Sequence, residues 1–429
     1  MWFMILLPPQ KKQSMKVLLI NNIFYHKGGS EAVMFNTAEL LEHNGCEVVF
    51  FSFERPENQY CRQECYFPEL GNNLRRVINY FWNSDASRNL SRLIDAEHPD
   101  IAHVHLFWGG LSPSILDVLK KHNIPIVHSV HDYRMICPAY TFKDGNGQIC
   151  EQCYGGKFYK CTVNRCSKGN LIMSAMMAAE MYCRNKFHHP ANYIDKFLFV
   201  SRFSQNMHLK FDKRFTKDKS MVLYNCANSG ILKYRNCNND TYGSYYLFYG
   251  RLSFEKGIST LIRAFGQHPE LKLKIVGAGP LERCLKDECR KLNNTSIEFV
   301  GYKTGKDLYE LVANAKFVCV PSEWYENNPM TIVESYSLRT PVIAAAIGGI
   351  TEIVEEGKTG LLFKSGNVID LCRAIVKSKE LSEASYLSMK NNAESFAEEN
   401  FNENIYYNKL IETYNDVIES CQGISCTHS

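Results

Sequence analysis

Apolar runs and helical patterns alternate along the first half of the chain. Lys16–Ile20 reads as a short strand, Ser30 opens a helical stretch that reaches His43, and Gly45 follows as a stop signal. The other predicted strands of this half are Glu47–Phe53, Ile101–His105, Ile124–Val130, Phe197–Ser201 and Met221–Tyr224. Short apolar runs with helical patterns between them predict a parallel sheet of β-α-β units.

The same alternation returns after a segment of different composition. Residues 225–244 are rich in asparagine and contain glycines, which is typical of a linker. The strands predicted beyond it are Tyr245–Tyr249, Leu271–Val276, Ile297–Val300, Phe317–Val320, Val342–Ala345 and, as a short edge strand, Gly360–Phe363. After Asn367 the pattern is helical to the end, with a break near Asn400.

The pattern predicts two doubly wound α/β domains. We assign residues 15–235 to the first and 236–398 to the second, and we expect a final helix within 399–429 to pack back toward the first domain. Ligands of open α/β sheets bind beyond the carboxyl ends of the strands. We therefore expect the functional site in the cleft between the two domains.

Length and charge narrow the choice of function. At about 150 residues per domain, the 429 residues suit two or three domains. Hydrophobic residues make up 45% and charged residues 22%, proportions that are typical of a globular protein and exclude wholesale disorder. A formal net charge of +4 is too small to indicate a nucleic-acid partner.

The cysteines and the first residues indicate a reducing compartment. Seventeen cysteines spread along the chain do not resemble a small disulfide scaffold. The apolar run Trp2–Leu7 is too short to span a bilayer and precedes the first lysines, whereas a signal peptide carries its positive charges first. We expect a cytoplasmic protein with mostly reduced thiols, and we expect residues 1–14 to be a leader or a misassigned start.

A loop with two cations follows the predicted strand Tyr245–Tyr249. Gly250 permits a tight exit from that strand, and Arg251 and Lys256 lie just beyond it. A guanidinium and an ammonium on one loop suit a diphosphate. The alternative is a surface loop with two solvated cations.

A second polar loop lies within Pro321–Glu334, after another predicted strand. Asn328 before Pro329 predicts a helix with Asn328 as its N-cap and Pro329 as its first residue, and such a helix start attracts anions. Glu326 and Glu334 cannot face a phosphate, so we expect them to accept hydrogen bonds from sugar hydroxyls. The alternative is a pair of exposed glutamates beside an ordinary helix.

Four cysteines cluster in a glycine-rich segment, 137–166, that begins at Cys137. They are Cys150, Cys153, Cys161 and Cys166. Four thiolates at this spacing can close a tetrahedral zinc site, which would stiffen a long loop of little apolar content. Free thiols and disulfides are the alternatives.

The order of the polar loops resembles a known enzyme family. The chain carries the cationic loop, then Glu326 and Glu334 with seven residues between them, and then Gly348 and Gly349. This order resembles that of the retaining glycosyltransferases of family 4. That family has the GT-B fold, in which two Rossmann-like domains face each other across a cleft.

The first domain carries further parts of the resemblance. Lys27–Glu31 resembles the family's glycine loop after the first strand, and Pro99–His105 and His131–Tyr133 resemble its acceptor-domain pattern. Some family members have a similar Cys-rich insertion after the last of these segments. The resemblance implies that the first domain binds the acceptor and the second the nucleotide sugar.

The resemblance also implies roles for single residues. The implied donor-binding set is Gly28, Gly29, Gly250, Arg251, Lys256, Asn328, Pro329, Met330, Thr331 and Glu334. Arg251 and Lys256 would stabilise the departing diphosphate, and Glu334 would hold the nucleotide ribose. Glu326 would contact the transferred sugar and His131 would lie near it, so these two complete the catalytic set with Arg251 and Lys256.

Some positions depart from the pattern or fit it weakly. Asn327–Pro329 stands where many relatives have a glycine-rich stretch. His105 and Asp132 are the weaker candidates and would serve the acceptor. His103 and His105 alternate on one predicted strand, and we expect them to face opposite sides.

The implied reaction moves a sugar from a UDP- or GDP-sugar to a glycan or lipid-linked acceptor, with retention, in the synthesis of a cell-surface polysaccharide such as lipopolysaccharide or capsule. No cofactor is required if the two cations stabilise the leaving diphosphate. A lipid-linked acceptor implies peripheral contact with the inner face of the membrane, and Leu171–Tyr182 reads as either a packed helix or an amphipathic surface helix. The alternatives are a nucleotide-sugar epimerase of the same fold and a non-catalytic nucleotide-sugar-binding protein.

Overall fold

Two parallel sheets organise the chain in this computed structural model, which describes residues 14–235, 243–292 and 294–425. Residues 1–13 of the predicted leader and 236–242 of the predicted linker lie outside the described residues. The strands are β1 Lys16–Ile20, β2 Glu47–Phe51, β3 Ile101–Val104, β4 Ile126–Val130, β5 Lys196–Phe199, β6 Ser220–Val222, β7 Tyr246–Tyr249, β8 Leu273–Val276, β9 Ile297–Gly301, β10 Phe317–Val320, β11 Val342–Ala345 and β12 Gly360–Phe363.

Helices connect successive strands, as parallel pairing requires. They are α1 Gly29–His43, α2 Asn73–Phe81, α3 Ser84–Glu97, α4 Ser114–Lys121, α5 Tyr159–Val163, α6 Leu171–Phe187, α7 Arg202–Phe211, α8 Ile258–Gly266, α9 Glu282–Lys291, α10 Gly305–Ala313, α11 Met330–Ser337, α12 Ile350–Ile353, α13 Val368–Glu380, α14 Glu383–Asn400 and α15 Glu403–Ser425. Within the described ranges, no helix combines the length and the apolar character needed to cross a bilayer.

Each sheet has six strands, in the orders β2-β1-β3-β4-β5-β6 and β12-β11-β10-β7-β8-β9. The strand order reverses at β1 and β3 in the first sheet and at β7 and β10 in the second, and these are the points where ligands bind in such sheets. The loops after these strands contain Gly28, Lys256 and Glu326. The topology therefore directs the predicted residues of both domains toward one cleft.

The α/β class predicted from the apolar runs is confirmed. Strands β10, β11 and β12 have the predicted ends, and β12 is an edge strand as expected. Every residue of β3, β4, β7, β10 and β11 is buried. Because helices cover both faces of such strands, they read as continuous apolar runs without alternation.

The last helix, α15, returns to the first sheet after the break between Asn400 and Glu403. The Tyr414 hydroxyl lies 2.7 Å from Nδ1 of His103, and the Tyr406 hydroxyl lies 3.0 Å from Oγ1 of Thr37. The C-terminal segment thereby connects the two domains a second time.

A carboxylate of the second domain caps a helix of the first. Glu352 of α12 accepts hydrogen bonds of 2.9 and 2.8 Å from the backbone N–H groups of Arg202 and Phe203, at the start of α7. It also accepts a 2.9 Å bond from the Tyr224 hydroxyl. A negative charge at a helix N-terminus is favourable, so this contact stabilises the domain pair beside the cleft.

Candidate active site

The cationic loop follows β7 and packs against the loop that follows β10. Lys256 Nζ lies 2.7 Å from Oε1 of Glu326 and 5.5 Å from the ring centroid of Trp324. A Cβ atom on Gly257, where φ is +64°, would lie 1.9 Å from the Pro321 carbonyl oxygen. Glycine is required there both for its left-handed backbone and for this close approach.

The two cations differ in their surroundings. Arg251 is 54% exposed, and its guanidinium lies 3.6 Å from Glu255 on the same loop. Lys256 is 27% exposed and has Glu326 as its partner. The alternative of two solvated cations is therefore wrong for Lys256, whereas Arg251 keeps most of its contact with solvent.

Glu326 is buried in the cleft and stays ionised. Its Oε1 also accepts a 2.7 Å hydrogen bond from the Ser322 hydroxyl. Burial alone would raise the pKa of Glu326, but the charge and hydrogen bond of Lys256, together with the Ser322 bond, hold this pKa below its ordinary value. The Gly349 backbone N–H donates a 2.7 Å hydrogen bond to the backbone carbonyl oxygen of Glu326, and this bond fixes the backbone of the loop.

Glu334 lies in α11, beside the end of β7. The Tyr249 hydroxyl at the end of β7 lies 3.0 Å from Oε2 of Glu334 and 2.9 Å from the Thr331 carbonyl oxygen. Burial raises the pKa of Glu334 to about 7, and the Tyr249 hydrogen bond opposes that shift. The two glutamates therefore differ in charge at neutral pH, and the alternative of two exposed glutamates is wrong.

The predicted cap of α11 is wrong. The helix begins at Met330, and no described side chain caps it. The side-chain oxygen of Asn328 instead accepts a 2.9 Å hydrogen bond from the backbone N–H of Asn225, and the Asn225 amide donates to the Asn328 carbonyl at 2.9 Å. Because Asn328 is used for this interdomain contact, the amides of the first turn remain available for an anion.

The first domain contributes a second helix N-terminus, that of α1, next to the start of α11. Helix α1 begins at Gly29, after Gly28 in extended backbone. A Cβ atom on Gly29 would lie 3.6 Å from Cγ of Met330. The first turns of α1 and α11 are therefore in contact across the cleft, and the Glu31 carboxylate also lies in the first turn of α1.

His131 lies between the domains, directly after β4. Its carbonyl oxygen accepts a 2.7 Å hydrogen bond from the Asn327 side-chain amide. Its ring is parallel to that of His105, with 2.9 Å between Nε2 of His131 and Nδ1 of His105. Burial lowers the pKa of His131 to about 3 and holds the pKa of His105 well below its ordinary value, so both rings are neutral.

Two expectations about the acceptor side need correction. His103 and His105 face the same side of the sheet, with stacked rings 4.4 Å apart, because alternate residues of a strand share a face. His105 is completely buried and contacts His131 instead of the open cleft. Asp132 accepts a 2.8 Å hydrogen bond from the Arg134 backbone N–H, and burial raises its pKa.

The Cys-rich segment packs against the second domain beside the cleft. Glu151 accepts a 2.9 Å hydrogen bond from the Tyr325 hydroxyl, next to Glu326. The Lys143 ammonium lies 4.8 Å from the ring centroid of Phe254 in the cationic loop, and a Cβ atom on Gly147 would lie 2.7 Å from the same ring. The Cys-rich segment, residues 137–166, therefore contacts the second domain beside the cationic loop and the polar loop after β10.

The cysteines of that segment form no disulfide among the described residues. Cys153 and Cys161 are buried, and Cys150 and Cys166 are partly exposed. The described part of the chain contains no group of three or more His, Cys, Asp or Glu residues placed to hold a metal ion. Zinc binding by these thiols stays a prediction.

Several contact residues were not predicted from the sequence. Four side chains each donate a hydrogen bond to a site residue or to the Cys-rich segment. They are Tyr249, Ser322, Tyr325 and Asn327. Three of them lie within the polar loop after β10, so their position directly after a predicted strand indicates residues of the cleft. Tyr249 reads as an ordinary strand residue, and nothing in the sequence separates it from Tyr246.

Two family models match the chain. The model described as Glycosyltransferase Family 4 matches residues 27–229, and the model described as Glycosyl transferases group 1 matches residues 236–396. Together they cover every strand except β1 and both loops of the candidate site.

Individual relatives agree with this match. An uncharacterised glycosyltransferase of Methanocaldococcus jannaschii is 32% identical over 183 residues, which are 43% of this chain and 49% of that relative, so the match spans about half of its length. An uncharacterised 42.6 kDa protein in the cps region of Klebsiella pneumoniae is 22% identical over 359 residues, covering 79% of this chain and 87% of that protein.

The fold is that of solved GT-B structures. A protein of Anabaena, solved in complex with UDP and glucose, superposes with a TM-score of 0.62 and 18% identity, over 94% of this chain and 100% of that one. The predicted arrangement of two Rossmann-like domains across a cleft is confirmed.

Proposed function

Because the chain belongs to glycosyltransferase family 4, we propose that it transfers a sugar from a nucleotide-sugar donor to a glycan or lipid-linked acceptor with retention of configuration. One observation carries the proposal. The Lys256–Glu326 ion pair joins the loop after β7 to the loop after β10, at the switch point of the second sheet. This arrangement offers cations and amides to a diphosphate and a carboxylate to a sugar.

The diphosphate is the leaving group of the proposed reaction. It gains negative charge as its bond to the sugar breaks, and fixed donors at that position lower the barrier. Lys256 and the first amides of α11 supply such donors, and Arg251 on the same cationic loop is the second cation. Loss of one such donor costs about 3 kcal/mol, or about 10²-fold in rate.

The sugar and the ribose are held by carboxylates. Glu326 is ionised and can accept hydrogen bonds from hydroxyls of the transferred sugar. Glu334, beside Tyr249, is placed for the ribose hydroxyls, and donor binding is expected to favour its ionised form. His131 is joined to the second domain through the Asn327 amide and is a neutral hydrogen-bonding group that we assign to the transferred sugar.

The identity of the donor and the role of the reaction in the cell are more specific proposals. A UDP- or GDP-sugar fits a site that binds a diphosphate, and the Anabaena neighbour binds UDP and glucose, which favours a UDP-sugar. The Klebsiella relative belongs to a cps region, which favours a role in cell-surface polysaccharide synthesis. The many free thiols favour a reducing compartment, so we place the reaction on the cytoplasmic side of the membrane.

A structural zinc ion in the Cys-rich segment is a separate proposal. The predicted ligands are Cys150, Cys153, Cys161 and Cys166, and the Cys153 thiol interacts electrostatically with those of Cys150 and Cys166. Metal analysis of the purified protein should find about one zinc per chain, released by a thiol-modifying reagent. Metal-free protein with every thiol titratable would contradict it.

The function is tested with labelled nucleotide sugars. The purified protein is incubated with UDP- and GDP-sugars, with and without a membrane lipid extract, and nucleoside diphosphate release and labelled product are measured. Transfer that depends on the extract supports the proposal. Conversion of the donor to an isomeric nucleotide sugar would support an epimerase, and binding without turnover would support a non-catalytic protein.

A further inference from the structure

The hydroxyl group of Tyr249 lies between two hydrogen-bond acceptors of α11. It is 2.9 Å from the Thr331 carbonyl oxygen and 3.0 Å from Oε2 of Glu334. A phenol carries a single proton, so Tyr249 can donate to only one of these acceptors at a time. Burial raises the pKa of Tyr249 well above its ordinary value, and the hydroxyl therefore keeps its proton near neutral pH.

Tyr249 is the contact that supports a negative charge on Glu334. Among the described residues, the Glu334 carboxyl accepts this one hydrogen bond and forms no ion pair. Tyr309 of α10 also interacts with the carboxyl electrostatically, but burial raises the pKa of Tyr309 to about 12, so this phenol is uncharged at neutral pH. Burial of Glu334 favours its protonated form, and the Tyr249 hydroxyl favours the ionised form.

The contact with Tyr249 leaves the second carboxyl oxygen available. Glu334 is half-buried, and its Oε1 has no hydrogen-bond partner in the part of the chain that the structure describes. A carboxylate accepts hydrogen bonds on both oxygens. When Tyr249 holds Oε2, the direction of Oε1 is restricted in advance, and less conformational freedom is lost when a hydroxyl binds there.

The Thr331 carbonyl does not depend on Tyr249 for a partner. It also accepts a 2.5 Å hydrogen bond from the Ser335 hydroxyl. An ionised carboxylate is a stronger acceptor than a peptide carbonyl, so the Tyr249 proton belongs to Glu334 when that carboxyl is ionised. When Glu334 is protonated, its own O–H can donate to the Tyr249 oxygen, and Tyr249 then donates to Thr331. The Tyr249 hydroxyl therefore has a partner in both states.

We propose that Tyr249 is a positioning residue of the nucleotide site, which holds Oε2 of Glu334 so that Oε1 receives a ribose hydroxyl. The inference rests on the proposed function, which assigns Glu334 to the ribose. The Tyr249 hydroxyl acts through Glu334, and it turns to the Thr331 carbonyl when Glu334 is protonated. Because Thr331 lies in the first turn of α11, this switch also reaches the helix start that we assign to the diphosphate.

The first test measures what the ribose hydroxyls contribute to binding. The probes are UDP, 2′-deoxy-UDP and 3′-deoxy-UDP, with the matching guanosine series, and Kd is measured at pH 8, where Glu334 is mostly ionised. Loss of the hydroxyl that contacts the carboxylate should weaken binding to the wild type about tenfold or more. In Tyr249→Phe, which keeps the ring and removes the hydroxyl, this penalty should fall to about threefold or less. An unchanged penalty would overturn the proposal.

Two controls separate positioning from the loss of a buried hydrogen bond. Tyr246→Phe removes a buried tyrosine hydroxyl from the same strand, where it lies 2.7 Å from Oγ of Ser378, and this variant should keep the wild-type penalty. In a Glu334→Ala background, Tyr249→Phe should change the Kd for UDP by less than about twofold, because the hydroxyl acts through the carboxyl. A large further loss in that double variant, or a lost penalty in Tyr246→Phe, would contradict the proposal.

The pH profile is a readout that a purely structural role would not move. The Kd for UDP-glucose should fall as Glu334 ionises, with a midpoint near its pKa of about 7. Tyr249→Phe removes the hydrogen bond that favours ionisation, so the midpoint should move upward by about one pH unit. Tyr246→Phe should keep the wild-type midpoint. The same midpoint in Tyr249→Phe and the wild type would overturn the proposal.

Turnover distinguishes this proposal from the proposed function. A wild type that shows the ribose penalty and the pH midpoint, but neither releases nucleoside diphosphate nor transfers sugar, would contradict the proposed transfer and still support the role of Tyr249. A wild type that transfers sugar and binds the deoxyribose nucleotides as tightly as the ribose forms would support the transfer and overturn the role of Tyr249.

Discussion

The Lys256 ammonium donates a 2.7 Å hydrogen bond to Oε1 of Glu326 and so joins the loop after β7 to the loop after β10. Lys256 neutralises the buried carboxylate and also lies where a leaving diphosphate is expected. Both roles depend on one charge, so substitution of either residue affects stability as well as rate.

Replacement of Lys256 by methionine should lower kcat by about 10²-fold or more, because the leaving diphosphate loses a fixed cation. The same change leaves the Glu326 carboxylate buried without its ion-pair partner, so it should also lower the free energy of unfolding, by about 1–3 kcal/mol. The double variant Lys256→Met/Glu326→Gln should recover much of that stability without recovering turnover. Normal turnover in Lys256→Met would remove the basis of the donor-site assignment.

Donor affinity should depend on pH through Glu334. With a pKa of about 7, this carboxyl is mostly protonated at pH 6 and mostly ionised at pH 8. Ribose hydroxyls donate to the ionised form, so the Kd for UDP-glucose should fall about tenfold between these pH values. A nucleotide sugar has no phosphate group that titrates in this range. Glu334→Gln should bind with a Kd that is nearly independent of pH, and an unchanged pH profile in that variant would contradict the role.

The same carboxyl should make the protein less stable as pH rises. The folded state holds the Glu334 proton up to about pH 7, whereas an unfolded glutamate loses it near its ordinary pKa of 4.5. The folded state therefore binds more protons between these values, and the free energy of unfolding should decrease through this window by up to about 3 kcal/mol. Urea unfolding at pH 5 and pH 8 measures the decrease. Glu334→Gln should show a smaller decrease than the wild type.

His105 should set the tautomer of His131. Both rings are neutral, and Nε2 of His105 is buried without a partner in the described part of the chain. An unpaired lone pair is less costly there than an unpaired N–H, so the His105 proton belongs on Nδ1 and is donated to Nε2 of His131. Nδ1 of His131 then carries its proton and can donate to the sugar.

Replacement of His105 by phenylalanine keeps the ring but removes that hydrogen bond. We expect kcat to fall about five- to tenfold, with little change in the KM for the donor. Nitrogen NMR shifts of His131 should report the protonated Nδ1 in the wild type and a mixture of tautomers in the variant. The surface histidine variant His43→Phe serves as the control. A wild-type His131 with its proton on Nε2 would contradict the assignment.

The sequence predicts the sheets well because buried parallel strands are short apolar runs, as in Phe317–Val320. It also predicts the two loops, since polar residues directly after such strands belong to the cleft. It does not predict that Asn328 bonds to Asn225, because that partner lies in the other domain and local preference alone makes Asn328 an N-cap. Likewise, the raised pKa of Glu334 depends on burial beside Tyr249, which no local pattern encodes.

The Cys-rich segment should position the loop that carries Glu326. Tyr325, next to Glu326, donates to Glu151 of that segment at 2.9 Å, and its ring lies against Phe203 and Phe142, with centroids 5.0 and 5.8 Å away. Tyr325→Phe keeps the ring contacts and removes the hydrogen bond. We expect faster hydrogen exchange in residues 321–328 and a fall in kcat of about fivefold, with the thermal unfolding temperature nearly unchanged. The Glu151→Gln variant, which can still accept the bond, should behave like the wild type, as should Tyr60→Phe at a position that is 87% exposed. Exchange and kcat that stay at wild-type values in Tyr325→Phe would show that the segment contacts the loop without ordering it.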